Sequence, residues 1–357
     1  MKKKWLAVMS AAAMAAGMLI GCGGNSAQTP EKGTEAAKAE QNTQAPEQSQ
    51  EAEIVLTLGH VVQDDTPIDV GAKEFARLVS EKSNGRIKVE VYSNSALGDN
   101  RVMLEALQLG SQDMVMPALA AVGGFTDKTL IFDLPFLFKD TESAEKVLDS
   151  DFGRSILDSM DGAGFVGLEW WTQGWRVLTT SNKEVHTVSD MKGLKIRTMD
   201  NEVHIASFNQ MGASAVPMAF SEVFTSLQQG ILDGQENPYS NIKLSGFNEV
   251  QKYVINTNHI YDPVPVLFSK VTWEKLSGED QAIIKEAIAE AKVFEREETA
   301  RQDAAIAEEF KASGKTQVID LSEDERATFV EAVQPVYEKY ADKIGQENID
   351  KVLELQK

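Results

Sequence analysis

The sequence predicts an α/β protein with two lobes and a cleft between them. From residue 53 onwards, short alternating apolar segments recur between segments with helical periodicity, which is the pattern of α/β architecture. The chain has 357 residues, of which 42% are hydrophobic and 25% charged, as is usual for a folded protein. It is too long for one small sheet, and no eightfold barrel repeat is visible. Ligands of such folds bind at the carboxyl ends of strands or between domains.

The first elements after residue 53 predict a βαβ unit. Apolar residues alternate over 54–58, which indicates a strand that ends at Gly59-His60. Pro67 suits the first turn of a helix, and apolar residues at helical spacing extend that helix to about Ser83. The apolar residues of 87–91 then alternate as a second strand. Two strands joined by a helix should pair in parallel.

The same alternation predicts the remaining elements. The segment 278–313 lacks an internal Gly or Pro and should form one or two long helices. The other predicted helices are 99–110, 201–211, 220–229, 322–343 and 345–355, and the other predicted strands are 112–117, 164–171, 177–180, 194–198, 215–218 and one beginning at 231–233.

The first 21 residues have the parts of a secretory signal peptide. Three Lys at positions 2–4 precede an apolar run from Trp5 to Ile20, which is short for a membrane span. The run ends in Leu-Ile-Gly-Cys22, which resembles the lipobox of bacterial lipoproteins. The resemblance implies cleavage before Cys22 and lipidation of that residue. The alternative is an uncleaved anchor with an unmodified Cys.

Residues 22–52 are predicted to be a flexible tether. Positions 23–52 contain no Val, Ile, Leu, Met or aromatic residue, so they cannot bury enough surface to offset the entropy of ordering. Removal of the signal peptide would take away three Lys and no acid, and would change the formal net charge from −20 to −23.

Composition and motifs exclude several function classes. A net charge of −20 with no basic stripe argues against nucleic-acid binding. One Cys and four His are too few for a disulfide framework or a structural zinc site. The sequence has no phosphate-binding Gly-rich loop, no nucleophile elbow and no HExxH pair. It therefore predicts no metal, no cofactor and no enzyme, and an exported receptor for a small solute becomes the leading hypothesis.

Two of the nine Arg are candidates for an anion site. Arg176 follows the aromatic run Trp170–Trp175, and Arg197 ends a predicted strand. A planar guanidinium can hold a carboxylate with two hydrogen bonds. The alternatives at both positions are an internal salt bridge or stacking on Trp.

Six segments carry a resemblance to a known family. The clearest is the stretch from Ile196 to Pro238, IRTMDNEVHIASFNQMGASAVPMAFSEVFTSLQQGILDGQENP. The others are Gly59-His60 followed by Asp64–Pro67, Ala96–Arg101 (ALGDNR), Asp133–Phe138 (DLPFLF), Gly174–Arg176 (GWR) and Asp190–Lys195 (DMKGLK). In this order, over essentially all of 53–357, they resemble the solute-binding proteins of tripartite ATP-independent periplasmic (TRAP) transporters.

The resemblance implies a set of ligand contacts. Arg197 stands where the family has the Arg that forms the main salt bridge to a ligand carboxylate, and Arg176 matches a second, assisting Arg. Asn237 matches an Asn that bonds the carboxylate, and Phe220 matches a Phe that packs on the ligand. Asp99 and Asn100, on the other lobe, and the residues His60, Trp171, Gln173, Trp175, Met199, Glu236 and Tyr261 complete the predicted pocket, with core packing as the alternative for the aromatic ones.

The resemblance also implies the fold and the partners. It implies a type II periplasmic-binding-protein-like fold with hinge strands and a long helix crossing both lobes. Lobe I would be 53–173 plus about 263–300, and lobe II 174–262 plus about 301–357. The ligand would be a sugar acid or a C4-dicarboxylate, delivered by a monomeric receptor to membrane permease subunits. The stretch Met116–Leu119 lacks the Glu of the sialic-acid-binding branch.

Two other functions stay open at this point. The same fold could serve as the ligand-sensing subunit of a signalling system, which the neighbouring genes would distinguish. An exported hydrolase of sugar acids would need a pair of carboxylates in the cleft at glycosidase separation.

Overall fold

Nine strands form one mixed sheet in residues 52–357, the part of the chain that the computed structural model describes. The predictions for the signal peptide, Cys22 and the tether up to residue 51 lie outside the described residues. The strand order is β2-β1-β3-β8-β4-β7-β5-β6, and β9 pairs with β8. The strands are β1 Ile54–Gly59, β2 Ile87–Tyr92, β3 Met114–Val115, β4 Phe165–Thr180, β5 Lys195–Thr198, β6 Ser214–Pro217, β7 Gly234–Asn237, β8 Tyr253–Ser269 and β9 Gln317–Ile319.

Fourteen α-helices of the described residues cover this sheet. They are α1 Pro67–Lys82, α2 Asn100–Leu109, α3 Leu119–Val122, α4 Thr141–Leu148, α5 Asp151–Ser159, α6 Glu202–Gln210, α7 Val223–Gln228, α8 Tyr239–Leu244, α9 Phe247–Val250, α10 Lys270–Trp273, α11 Gly278–Ser313, α12 Glu323–Ala332, α13 Gln334–Ile344 and α14 Gln346–Leu355. Short 3-10 helices lie at Asp127–Asp133, Met160–Ala163, Val188–Met191 and Phe220–Glu222.

The predicted βαβ unit is confirmed. Strands β1 and β2 pair in parallel, with Ile54 opposite Ile87, and helix α1 connects them. Ala72 and Phe75 of α1 are fully buried because the helix turns its apolar face to the sheet. Strand β3 is much shorter than the predicted 112–117, although it also pairs with β1 in parallel.

Two long strands join two halves of the sheet. Strands β4 and β8 are antiparallel neighbours over their length, with shifts of register at Thr172/Trp175 and at two other points. Before Thr172, β4 pairs with the part of β8 that also pairs with β3. Together with β1, β2 and β3, these parts of β4 and β8 form what we call the first half of the sheet. After Trp175, β4 belongs with β5, β6 and β7, which we call the second half. The predicted separate strands 164–171 and 177–180 are therefore one strand, because pairing with β8 continues across the gap.

The second half of the sheet repeats the parallel arrangement. Strand β5 pairs in parallel with both β6 and β7, as expected for strands linked by helices. The predicted strand beginning at 231–233 was wrong by three residues, since β7 begins at Gly234. Ile231 is about half exposed, so its apolar character did not mark a strand.

The long helix α11 is one continuous helix of 36 residues, as the absence of Gly and Pro predicted. It packs against α1 and the first part of β4, and further along against α8 and β9, so it contacts both halves of the sheet. The predicted helix 322–343 is instead two helices. Pro335 stands in the first turn of α13, where a proline is tolerated, and α12 ends just before it.

Within residues 52–357, no helix is long and apolar enough to cross a membrane.

Candidate functional site

A cavity of about 560 Å³ opens between the two halves of the sheet. Its wall combines the start of α2 and the loop after α3, which belong to the first half, with the ends of β5 and β6, which belong to the second. This volume lies in the range of small-molecule sites. The residues that line the cavity are Val61, Asp99, Asn100, Arg101, Ala121, Gly123, Gly124, Phe125, Leu130, Arg197, Met199, Asp200, Asn201, Glu202, Pro217, Met218, Ala219, Phe220 and Glu222.

Arg197 is a buried cation on this wall. It lies on β5 opposite Val216 of β6, and only 3% of its surface is exposed. Its Nε and Nη2 both donate to the carbonyl oxygen of Met218, at 3.1 and 2.8 Å. Its Nη1 is buried and has no hydrogen-bond partner among the described residues. A buried donor without a partner is costly, and an anion in the cavity would satisfy it.

The surroundings of Arg197 leave its charge uncompensated by direct contact. Burial lowers the pKa of Arg197 to about 10; the carboxylate of Glu236 opposes this effect and the nearby Arg176 adds to it. Arg197 therefore stays protonated at neutral pH. Its guanidinium carbon lies 6.0 Å from the ring centroid of Phe220, which also lines the cavity. The site thus has a desolvated positive charge beside an aromatic face.

Arg176 is placed differently from the expectation for a ligand contact. Its Nε and Nη2 bond the carboxylate of Glu236, and its Nη1 lies 2.5 Å from Oδ2 of Asp262. All three side chains are buried, and none of them lines the described cavity. Because two carboxylates already occupy the guanidinium, a direct contact from Arg176 to a ligand stays a prediction.

His259 extends this buried charge cluster. Its Nε2 lies 3.1 Å from Oε2 of Glu236, and its Nδ1 lies 2.8 Å from the hydroxyl of Thr257. Despite burial, the Arg176 charge and the His259 hydrogen bond hold the pKa of the Glu236 carboxyl well below its usual range. Burial lowers the pKa of His259 and raises that of Asp262. The cluster ties β4, β7 and β8 together beside the register shift at Thr172/Trp175.

Asn237 belongs to a chain of buried amides. Its Nδ2 donates to Oε1 of Gln235 at 2.5 Å, and its Oδ1 accepts from Nδ2 of Asn241 at 3.4 Å. Asn241 also donates to Oε1 of Gln173 at 2.7 Å. Both predicted contacts in this chain, Asn237 and Gln173, are buried and lie off the cavity wall in this structure.

The structure brings five of the predicted site residues to one cavity, namely Arg197, Met199, Phe220, Asp99 and Asn100. Three other predicted pocket residues have polar partners elsewhere: His60 Nε2 lies 3.4 Å from Asp69 Oδ1, Trp175 Nε1 donates to Thr141 Oγ1 at 3.0 Å, and Tyr261 OH donates to Glu145 Oε1 at 3.2 Å. Trp171 is fully buried in the core, where its indole nitrogen has no hydrogen-bond partner among the described residues.

Sequence reasoning missed five polar residues of the wall, namely Arg101, Asp200, Asn201, Glu202 and Glu222. Asn201 caps α6 through its Oδ1 and also donates to the carbonyl oxygen of Ala120 at 3.0 Å and to Asp133 Oδ2 at 2.9 Å. Asn201 therefore bridges the two halves of the structure. Arg101 was part of the ALGDNR segment, but no role was assigned to it. The available signal for Arg101 in the sequence was that this segment has the pattern of a helix start, which places Arg101 in the first turn of the helix beside the predicted residues Asp99 and Asn100.

The family model for bacterial extracellular solute-binding proteins, family 7, matches residues 58–343. The chain belongs to this family. Its described part has the two-lobed α/β fold of the TRAP solute-binding proteins, which confirms the predicted fold class and the predicted resemblance.

Similar proteins and solved structures agree with this assignment. The chain is 37% identical to the C4-dicarboxylate-binding periplasmic protein DctP of Rhodobacter capsulatus over 83% of this chain and 89% of that protein. The sugar acid binding protein DctPAm of Advenella mimigardefordensis, solved with galactonate, superimposes with a TM-score of 0.83 at 34% identity, covering 86% and 99% of the two chains. A TRAP solute-binding protein of Sulfurospirillum deleyianum with bound succinate gives a TM-score of 0.81 at 35% identity, covering 85% and 99%.

Proposed function

We propose that this protein is an extracytoplasmic receptor that binds a small organic acid and delivers it to the membrane permease subunits of a TRAP transporter. The observation that supports this most directly is Arg197, a buried cation with one nitrogen unpartnered, on the wall of a ligand-sized cavity. Family membership supports the transport role, since family 7 consists of solute-binding receptors rather than enzymes.

Arg197 would hold the ligand by its carboxylate. The two hydrogen bonds to the Met218 carbonyl fix the plane of the guanidinium, and the carboxylate accepts from Nη1. In a desolvated site such a charge-assisted bond is stronger than on the surface. Phe220, whose ring centroid lies 6.0 Å from the guanidinium carbon, would shield this contact from water. Asn237 and Arg176 would act on the carboxylate after rearrangement of the bonds they make here.

Ligand binding would bring the two halves of the sheet together. The proposed lobe I is 53–173 plus about 263–300, and the proposed lobe II is 174–262 plus about 301–357. The register shift of β4 and β8 at Thr172/Trp175 lies at this boundary, and Gly174 within it has φ +83°. A ligand that contacts both walls biases such a two-state motion towards the closed form.

The proposed ligand class is that of sugar acids and C4-dicarboxylates. Structures similar to this chain hold galactonate and succinate, and each ligand has a carboxylate for Arg197 to bind. The acidic side chains around the cavity, Asp99, Asp200, Glu202 and Glu222, are acceptors for ligand hydroxyl groups.

Export, lipidation of Cys22 and a monomeric state complete the proposal. The sequence of residues 1–22 supports export and an anchor, which would hold the receptor at the outer face of a membrane close to its permease. Mass spectrometry of the mature protein tests this point, because a diacylglyceryl group on Cys22 changes the mass of the N-terminal peptide.

Calorimetry of ligand binding tests the proposed role of Arg197. The panel contains galactonate, a hexuronate, malate and succinate, measured on the wild type and on Arg197→Lys. Lysine keeps the charge but lacks the planar fork, so affinity should fall by about tenfold or more. Arg77→Lys is the matched control, since Arg77 pairs with Glu74 and Glu81 on an exposed helix face. An unchanged affinity in Arg197→Lys would refute the proposed role of Arg197. If the wild type bound none of the acids, the proposal that the protein is a receptor for organic acids would be refuted.

A further inference from the structure

A second cation, Arg101, lies on the same cavity wall as Arg197 but comes from the other half of the structure. Arg101 is in the first turn of α2, and α2 packs on β3 and α3 of the first half. Arg197 is on β5 of the second half. Among the residues that line the cavity, these two are the cationic ones. A ligand that spans the cavity therefore meets one guanidinium from each half.

Arg101 is free to change partners at small cost. Its Nε lies 3.0 Å from Oε1 of Glu105, one turn further along α2. The side chains of Arg101 and Glu105 are 72% and 51% exposed. Solvent screens an exposed ion pair of this kind, and its contribution to stability is small. By contrast, Arg197 is buried and held by the Met218 carbonyl.

The rest of the wall would repel a second negative charge. Asp99, Asp200, Glu202 and Glu222 also line the cavity, and of these Glu202 has a cationic partner, Lys343. A ligand whose far end is a carboxylate therefore needs a local cation to enter. Among the described residues that line the cavity, Arg101 is the cation contributed by the first half of the structure. A ligand with a neutral far end has no such requirement.

We propose that Arg101 gives up Glu105 and pairs with a second carboxylate at the far end of the ligand, and that it thereby sets the preference for dicarboxylates over monocarboxylates. The inference rests on the proposed function, because it assumes that Arg197 holds the first carboxylate. It adds a residue that determines specificity from the half of the structure opposite Arg197.

Two ligands of equal length test this role. Succinate has two carboxylates, whereas succinamate has an amide in place of one of them. Calorimetry of both ligands on the wild type should give at least about tenfold tighter binding of succinate. In Arg101→Gln this preference should disappear, because succinate affinity falls while succinamate affinity stays within about threefold.

Matched variants separate a specific role from a general effect of charge. Arg77→Gln removes an exposed helical Arg with an i,i+4 acidic partner away from the cavity and should leave the preference intact. Glu105→Gln releases Arg101 from its resting pair and should keep or increase the preference for succinate. Thermal unfolding of each variant verifies that it is folded.

The outcomes distinguish this inference from the proposed function. A preference for succinate that persists in Arg101→Gln, or a wild type that binds succinamate as tightly as succinate, would overturn the role of Arg101. Binding of galactonate without binding of succinate would also overturn it and leave the receptor function standing. A wild type that binds none of the three acids would refute the proposed function itself.

Discussion

Arg197 donates two hydrogen bonds to one acceptor, the carbonyl oxygen of Met218, which lies one residue beyond the end of β6. A backbone carbonyl orients a guanidinium without neutralising it. The neighbouring Arg176 has the opposite arrangement, since two carboxylates bond it directly. The two buried Arg of the second half of the sheet thus differ in their partners in this structure: Arg197 is oriented by a neutral carbonyl, while Arg176 is paired with two carboxylates.

This difference gives a prediction for Arg197→Met. Methionine keeps an apolar stem and removes a buried donor that has no partner, but it also removes the two hydrogen bonds to the Met218 carbonyl, so the free energy of unfolding of the ligand-free protein should stay within about 1 kcal/mol of the wild type. Affinity for acids should be lost at the same time. Urea unfolding and calorimetry on the same preparation measure the two effects. A loss of more than about 1 kcal/mol in the free energy of unfolding would show that Arg197 is a structural residue.

Arg176→Met should behave in the opposite way. It leaves Glu236 and Asp262 buried without their cation, and removal of one partner from a buried ion pair costs about 3–5 kcal/mol. The fall in the urea midpoint relative to the wild type measures this cost. Arg77→Met, on an exposed helix face, is the control and should leave the urea midpoint almost unchanged. Equal effects of the two substitutions would contradict a structural role for the Arg176 cluster.

Glu295 of α11 should make stability depend on pH. Its carboxyl is buried, accepts from Thr299 Oγ1 at 2.9 Å and from the Thr172 amide at 3.3 Å, and burial raises its pKa from 4.5 to about 8. Because the folded state holds this proton more tightly than the unfolded state, its contribution to stability is full below pH 4.5 and is lost as pH rises to about 8.

The variant Glu295→Gln removes this proton linkage. Between pH 5 and pH 8, the free energy of unfolding should fall less steeply with pH for the variant than for the wild type. The stability of the variant relative to the wild type should therefore increase as pH rises. Urea unfolding at four pH values across this window measures the difference. Glu297→Gln, an exposed position on the same helix, should show the wild-type slope. Parallel curves for Glu295→Gln and wild type would rule out the assigned linkage.

Local patterns in the sequence were sufficient for the elements that local interactions determine. The alternation at 54–58 and the Pro67 start predicted β1 and α1 almost to the residue. The continuity of β4 was not predictable in this way. Gly174 with its positive φ interrupts the apolar pattern, and only the pairing of β4 with β8 keeps the strand whole.

In the candidate site too, some features could be predicted from local sequence and others depend on tertiary structure. Arg197 could be assigned from its place at a strand end and from the family resemblance. The partners of Arg176 lie 60 and 86 residues away in sequence, so its internal neutralisation depends on tertiary structure and leaves no local pattern. Arg101 has a Glu one turn later, which is the ordinary pattern of a solvated helix, so the sequence alone does not single it out.

The junction at Gly174 has a mechanical consequence. Strands β4 and β8, which are hydrogen-bonded to each other, and the continuous helix α11 connect the halves of the sheet, so we expect the junction to resist sliding and stretching while it permits bending at Gly174. The closure proposed above would therefore bring the two walls of the cavity together in one alignment. In such a receptor the distance between opposing groups in the closed form would be fixed. Ligands would then be selected by their length as well as by their charge.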